Sequence, residues 1–196
     1  MKAEDIDSAD FRISNIDLKG NTVPPYTRIR ADKKLSVRDA MELFRRPPIS
    51  RRRSLETHLF QIKGSGKDDT VEWISMGDPQ YSAFVPFLPM LTTDVFGPYR
   101  TGTEMPEYVE AKPAGGLYYA TQYDLWGIYP EGWRNSFYWV FTALEHITRE
   151  DKSAARHIAD TMSALQDEIC QKKMTGNAAA EKAWQTALEL LKEYGM

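Results

Sequence analysis

Cysteine is almost missing from this chain: its 196 residues hold one, Cys170. A single thiol excludes an internal disulfide framework and any zinc site built from cysteines, since both need at least two. Long apolar runs are missing as well. No stretch approaches the roughly 20 residues a bilayer-crossing helix requires. Met1-Lys2-Ala3-Glu4-Asp5-Ile6-Asp7 also lacks the apolar core of a secretory signal, so the expected compartment is the cytoplasm. Charge of one sign is not in excess, because 25 Lys and Arg stand against 28 Asp and Glu for a net −3. A surface of that balance predicts no nucleic-acid partner and no membrane partner. Two phosphate and nucleophile signatures are absent too. Gly64-Ser65-Gly66-Lys67 has neither the full P-loop spacing nor a following helix, and no Gly-x-Ser-x-Gly elbow occurs.

What is present is the material of a globular core. Apolar residues make up 42% of the chain and charged residues 27%, which excludes disorder of the whole chain. A chain of this length hides roughly 70% of its unfolded surface. One domain spanning 1–196 is expected, with four stretches. Residues 1–34 are an irregular lead-in, broken by Gly20-Asn21 and Pro24-Pro25, with brief strand candidates at Phe11-Arg12-Ile13 and Tyr26-Thr27-Arg28-Ile29. Residues 35–87 hold a helix and antiparallel strands. Ser36 with Asp39 forms a capping signal, Val37, Ala40, Met41 and Phe44 follow at helical spacing, and Pro47-Pro48 ends the helix. Strands are predicted at Thr57–Lys63, Thr70–Met76 and Tyr81–Phe87, joined by turns rich in Gly and Asp. Residues 88–132 read as a long loop of Pro, Gly and Tyr with little periodicity, the kind that carries function or wraps something.

Three helices are expected in 133–196. The first is capped by Asn135 or Ser136, with a stripe of Phe137, Val140, Phe141, Leu144 and Ile147. The second runs from about Lys152 to Cys170, with Ala155, Ile158, Ala159, Met162, Leu165 and Ile169 on one face. Gly176-Asn177 is expected to break it, and the third is buried through Ala180, Trp184, Ala187, Leu188 and Leu191.

Few residues offer chemistry. Arg45, Arg46, Arg51, Arg52 and Arg53 are the densest charge, read either as a carboxylate or phosphate fork or as a solvated loop. His58, His146 and His157 have no partner at a known zinc spacing, so no metal and no cofactor is expected. His146 and His157 fall on polar helix sides. His58 alternates with Phe60 and Ile62 and is read as a partly buried strand histidine. Cys170 adjoins the stripe of the second helix and reads as a packing residue. The Trp and Tyr residues of 117–139 stack a ligand or fill the core.

One set of motifs carries a resemblance. Pro48-Ile49-Ser50 and Arg53-Ser54-Leu55-Glu56-Thr57-His58-Leu59-Phe60-Gln61-Ile62 are followed by Val71-Glu72-Trp73, Pro79 and Tyr81-Ser82-Ala83-Phe84-Val85-Pro86-Phe87. Tyr99-Arg100-Thr101-Gly102, Asn135-Ser136-Phe137-Tyr138-Trp139-Val140-Phe141 and the tail Lys192-Glu193-Tyr194-Gly195 complete the series. In this order they resemble the C-terminal part of the bacterial dipeptidase A family, from about Pro25 onward. That family comprises N-terminal-nucleophile cysteine hydrolases, related to secernins and more distantly to penicillin V acylase. The resemblance implies an α+β fold, part of an αββα sandwich with antiparallel sheet followed by C-terminal helices, and proteolysis of dipeptides. In that chemistry a mature N-terminal Cys attacks the peptide carbonyl, with its own α-amine as general base.

The sequence departs from the family at that nucleophile. Cys170 is internal and has no free α-amine beside it, and Phe44-Arg45-Arg46-Pro47-Pro48 shortens the family's longer join from helix to strand. The expectation is a fragment or degenerate copy, inactive alone, that acts on a dipeptide substrate only if a Cys-bearing half completes it. The catalytic candidates implied are Arg46 or Arg53 for an oxyanion or substrate carboxylate, and Glu56 and His58 as orienting groups. The bland alternative is that they anchor a loop. Half a sandwich also implies a homo- or hetero-oligomer through an exposed sheet face. The competing reading is a non-catalytic interaction module derived from the same fold.

Overall fold

The computed structural model describes residues 11–13, 27–29, 35–46, 49–50, 56–62, 70–100, 109–111, 118–120, 129 and 131–196. These fall into two units, residues 1–40 and 41–196. In the first, β1 (Phe11–Ile13) pairs antiparallel with β2 (Thr27–Ile29), which gives both brief strand candidates a partner. Helix α1 (Val37–Phe44) begins in this unit and ends in the second, and its start is the capping box the sequence announced. The Asp39 backbone amide donates to Ser36 Oγ at 3.1 Å, while the Ser36 amide donates to Asp39 Oδ2 at 2.8 Å. Two orphan amides are thus satisfied reciprocally.

The second unit is built on a three-stranded antiparallel sheet in the order β3 (Glu56–Ile62), β4 (Thr70–Met76), β5 (Val85–Phe87). Strand β4 has the bounds its alternation predicts. Its Val71, Trp73 and Ser75 are buried on one face, with Thr70, Glu72, Ile74 and Met76 half-buried on the other. The third strand is shorter than the sequence suggests. Pro79–Tyr81 forms a single 3-10 turn, capped by Asp78, and Ser82–Phe84 has no partner among the described strands. The reason lies in a helix distant in sequence. The Phe84 amide donates to Gln166 Oε1 at 2.7 Å, and Gln166 Nε2 donates back to the Phe84 carbonyl at 3.2 Å. A side-chain amide therefore occupies the two backbone groups a neighbouring strand would use.

Residues 88–132 are not without secondary structure. Helix α2 (Gly97–Arg100) and a small hairpin of β6 (Val109–Ala111) with β7 (Tyr118–Ala120) lie within them. Helices α3 (Phe137–Glu150), α4 (Lys152–Gln171) and α5 (Gly176–Glu193) close the chain. The α4 cap is Asp151, whose carboxylate accepts from the Ser153 and Ala154 amides at 2.7 and 3.1 Å. That cap was not anticipated.

The break after α4 also lies elsewhere than expected. Lys173 turns the chain in the left-handed region with φ 49°, and Gly176 begins α5 instead of ending α4. The inner faces match the expected stripes with small rotations. Ala154 is buried where Ala155 is only half so, and in α5 Ala183 and Leu190 are buried in place of Trp184 and Leu188, which are half-buried. Phe84, Phe137, Phe141, Leu144, Ile158, Met162 and Ile169 form the fully buried centre. Burial of each such side chain favours folding by roughly 1.5–3 kcal/mol.

On the sheet face shared by Glu56, His58, Phe60 and Ile62, cover runs out from one edge to the other. Val85 and Phe87 of β5 are buried. Tyr99 meets Phe87 edge-on at 5.6 Å and stacks on Phe137 of α3 at 4.1 Å. Glu72 and Ile74 of β4 are half-buried, and on β3 Phe60 is 57% and Ile62 71% exposed.

Candidate functional site

Strand β3 brings two of the four catalytic candidates together. Glu56 and His58 lie two residues apart on one strand and so share a face. Glu56 Oε1 sits 3.3 Å from His58 Nε2. The hairpin register then adds a residue sequence reasoning missed. His58 is paired with Ile74, so Glu72 is its diagonal neighbour, within reach of a long side chain. Glu72 Oε1 lies 2.7 Å from His58 Nδ1. The signal was available in the alternation of β3 and β4, but only once their pairing is known. Phe60 stacks beside the imidazole, with ring centres 6.4 Å apart.

Each ring nitrogen of His58 thus faces its own carboxylate, an arrangement that the doubly protonated imidazolium satisfies by donating from both sides. The Glu72 bond holds the His58 pKa above its ordinary value near 6.5, opposed by partial burial and reinforced by Glu56. The geometry also limits the chemistry. The carboxylates bond to opposite edges of the ring and do not converge on one point, as ligands of a single ion would have to. Among the described residues no group of three His, Cys, Asp or Glu side chains is arranged to hold a metal ion. A general base needs a nitrogen turned toward the proton it takes, and both nitrogens of His58 are turned toward acids. His58 shares its strand face with Phe60 and Ile62 as expected, but it is exposed there rather than partly buried, and the same face carries Glu56 and Glu72.

The arginines separate. Arg53, with Arg51 and Arg52, lies outside the described residues. Arg46 is exposed just beyond α1. Arg45, read from sequence as part of a solvated cluster, is 6% exposed. Its Nη2 donates to the Ser82 carbonyl at 2.9 Å and the Met162 carbonyl at 3.4 Å, and Glu42 lies 3.7 Å from Nη1. A guanidinium carries donors that suit stray carbonyls. Arg45 therefore ties the end of α1 to α4 and to the segment before β5.

The remaining candidates lie on or beside the C-terminal helices. The Cys170 thiol is half-buried in α4, and Gln166 Nε2 lies 3.8 Å from its sulfur. His157 is exposed and pairs with Glu193 at 3.4 Å, while His146 is half-buried, against expectation, on α3. Trp133 and Trp139 are buried. One ring packs with Tyr129 at 4.6 Å and with the Arg134 guanidinium at 4.5 Å, so Trp133 is engaged within the chain. The Tyr99 hydroxyl is buried without a hydrogen-bond partner among the described residues, and burial pushes its phenol upward. Ser50 and Asp78 form a buried hydroxyl–carboxylate pair, and Asp78 accepts from the Gln80 amide at 3.0 Å.

Comparison with protein-family models, with curated proteins and with solved structures gives no match. No described helix is long and apolar enough to cross a membrane.

Proposed function

We propose that the chain is a dipeptidase-like unit that does not hydrolyse peptides by itself and works by association. In this reading it supplies the C-terminal part of an αββα hydrolase, and a Cys-bearing half from outside residues 1–196 supplies the nucleophile. The observation that carries the reading is the state of β3. Phe60 and Ile62 stand exposed on a strand whose neighbours β4 and β5 are progressively covered. Contiguous exposed apolar surface is what an association site offers a partner. The single thiol supports the same reading, because Cys170 sits within α4, where its own amino group is part of a peptide bond.

The test is dipeptide hydrolysis by the chain alone and after mixing with the Cys-bearing half of a bacterial dipeptidase A-type enzyme. No turnover alone, and turnover on mixing that disappears when the mature Cys is replaced by Ala, is the expected result. Turnover by the chain alone would overturn it. A stable complex without turnover would favour the second reading, a non-catalytic interaction module. That reading has its own support in His58, whose two nitrogens are both committed to carboxylates.

A further inference from the structure

One stretch of the second unit is exposed from end to end. Pro89, Met90, Leu91, Thr92, Thr93 and Asp94 form the longest run of exposed residues among those described. Met90 is 62% and Leu91 58% exposed, although both are apolar. The run opens on a turn in which the Leu91 and Thr92 amides donate to the Leu88 carbonyl at 2.9 and 2.8 Å. The Leu88 amide donates to Thr92 Oγ1 at 3.3 Å. All of these bonds stay inside the turn, so water can replace them without disturbing the core. On either side the chain is held. Ser82–Phe87 is buried throughout. Beyond the turn, Phe96 packs on Trp184 at 5.6 Å and Tyr99 on Phe137 at 4.1 Å. The turn between α4 and α5 is built differently, since the Met174 amide there donates at 3.1 Å to the carbonyl of fully buried Ile169.

We propose that this turn is a cleavage site for an endopeptidase with an apolar S1 pocket, and that the two pieces stay folded together after the cut. Proteolytic nicking concentrates at exposed loop tips. An apolar S1 slot selects the residue before the cut, and Met90 and Leu91 offer it apolar side chains in solvent. Phe60 is as exposed, but its strand is paired with β4 residue for residue, so it is not free to enter a protease cleft. Pro89 protects the bond before it, because its ring fixes φ and it has no N–H to present. That leaves the Met90–Leu91 and Leu91–Thr92 bonds. Hydrolysis adds water across one of them, leaving a carboxylate on the residue before the cut and an ammonium on the residue after it. Both new charges arise in solvent and carry no burial cost. The contacts between the pieces do not pass through the turn. Phe84 exchanges two hydrogen bonds with Gln166, Arg45 donates to the Met162 carbonyl, and Phe87 meets Tyr99 edge-on.

This inference does not rest on the peptidase reading, in which the chain contributes to a catalyst instead of serving as a substrate. The test is digestion of the full chain with chymotrypsin under native conditions, read by fragment mass and by native size exclusion. A new N-terminus at Leu91 or Thr92 is expected, with the two pieces co-eluting and separating only in denaturant. The decisive variant combines Met90→Asp with Leu91→Asp. Both positions are exposed, where substitution leaves stability nearly unchanged. Appearance of that N-terminus should slow by about tenfold or more, because the S1 pocket loses its apolar side chain, while cutting elsewhere keeps its rate. No cut at either bond after prolonged digestion, with a peptide of residues 86–96 cut there as the control, overturns the proposal. So do pieces that separate without denaturant, or a rate at these bonds that the double variant leaves unchanged.

Discussion

The sheet has two edges, and they are finished in different ways. Strand β5 is three residues long, contains Pro86 and is buried throughout. Helix α5 begins against it, so closely that a side-chain carbon at Gly176 would stand 3.1 Å from the Pro86 carbonyl oxygen. Just before the strand, the Gln166 amide occupies both the N–H and the C=O of Phe84. Strand β3 is more than twice as long, lacks proline and carries exposed Phe60 and Ile62. At β5 the fold meets its backbone and apolar demands internally. At β3, among the described strands, only β4 pairs with the backbone, and Phe60 and Ile62 stay exposed. The difference separates apolar residues that the described fold covers from apolar residues that it leaves exposed.

The comparison breaks most readily at Gln166. Gln166→Leu leaves two backbone groups of fully buried Phe84 without partners, at about 1–3 kcal/mol each. A loss of about 3 kcal/mol should appear in urea unfolding, and a loss below about 1 kcal/mol would mean that β5 is closed by other means. Gly176→Ala comes next. The added carbon meets backbone, which yields less readily than a side chain, and overpacking of this kind costs roughly 1–3 kcal/mol. Better helix propensity offsets part of that, so about 1 kcal/mol is expected in the same assay.

At the other edge the effects shrink. The folded-state pKa of His58 lies above its unfolded value. Its ion pairs therefore contribute fully below about pH 6.5, the unfolded value, and that contribution fades as pH rises through the folded pKa. Because the ring is partly exposed, the stability change is at most about 1 kcal/mol. It should vanish in His58→Gln when thermal unfolding is compared at pH 5.5 and 8.5 (about one unit or more either side of the ordinary value). Smallest of all is Phe60→Ser, expected to change monomer stability by no more than about 0.5 kcal/mol. A larger loss in the dilute monomer would show that β3 is part of the core.

Much of this contrast was visible in the residues. The Ser36/Asp39 box, the bounds of β4 and the stripes of α3 to α5 follow from local spacing, because each depends on neighbours within about one turn or one strand. Arg45 and Gln166 were misread or overlooked for the opposite reason. Arg45 bonds to carbonyls 37 and 117 residues away, and Gln166 to a residue 82 away. A polar side chain bound for a distant buried carbonyl has the same local pattern as one bound for water. The candidate site was half legible. Glu56 and His58 became candidates through the resemblance of the segment that holds them, whereas Glu72 joined them only through the register of the hairpin.

By itself, then, the sequence determined the mixed helical and antiparallel composition, the capping and periodicity of its elements, and the place of its one cysteine within a helix. These are local or compositional properties. Only the tertiary structure decided that Arg45 and Gln166 are buried, that β5 is closed and that His58 has an acid at each nitrogen. It also left Phe60 and Ile62 uncovered. Those outcomes depend on which distant groups meet, and a strand's apolar face looks the same in sequence whether the fold covers it or leaves it bare.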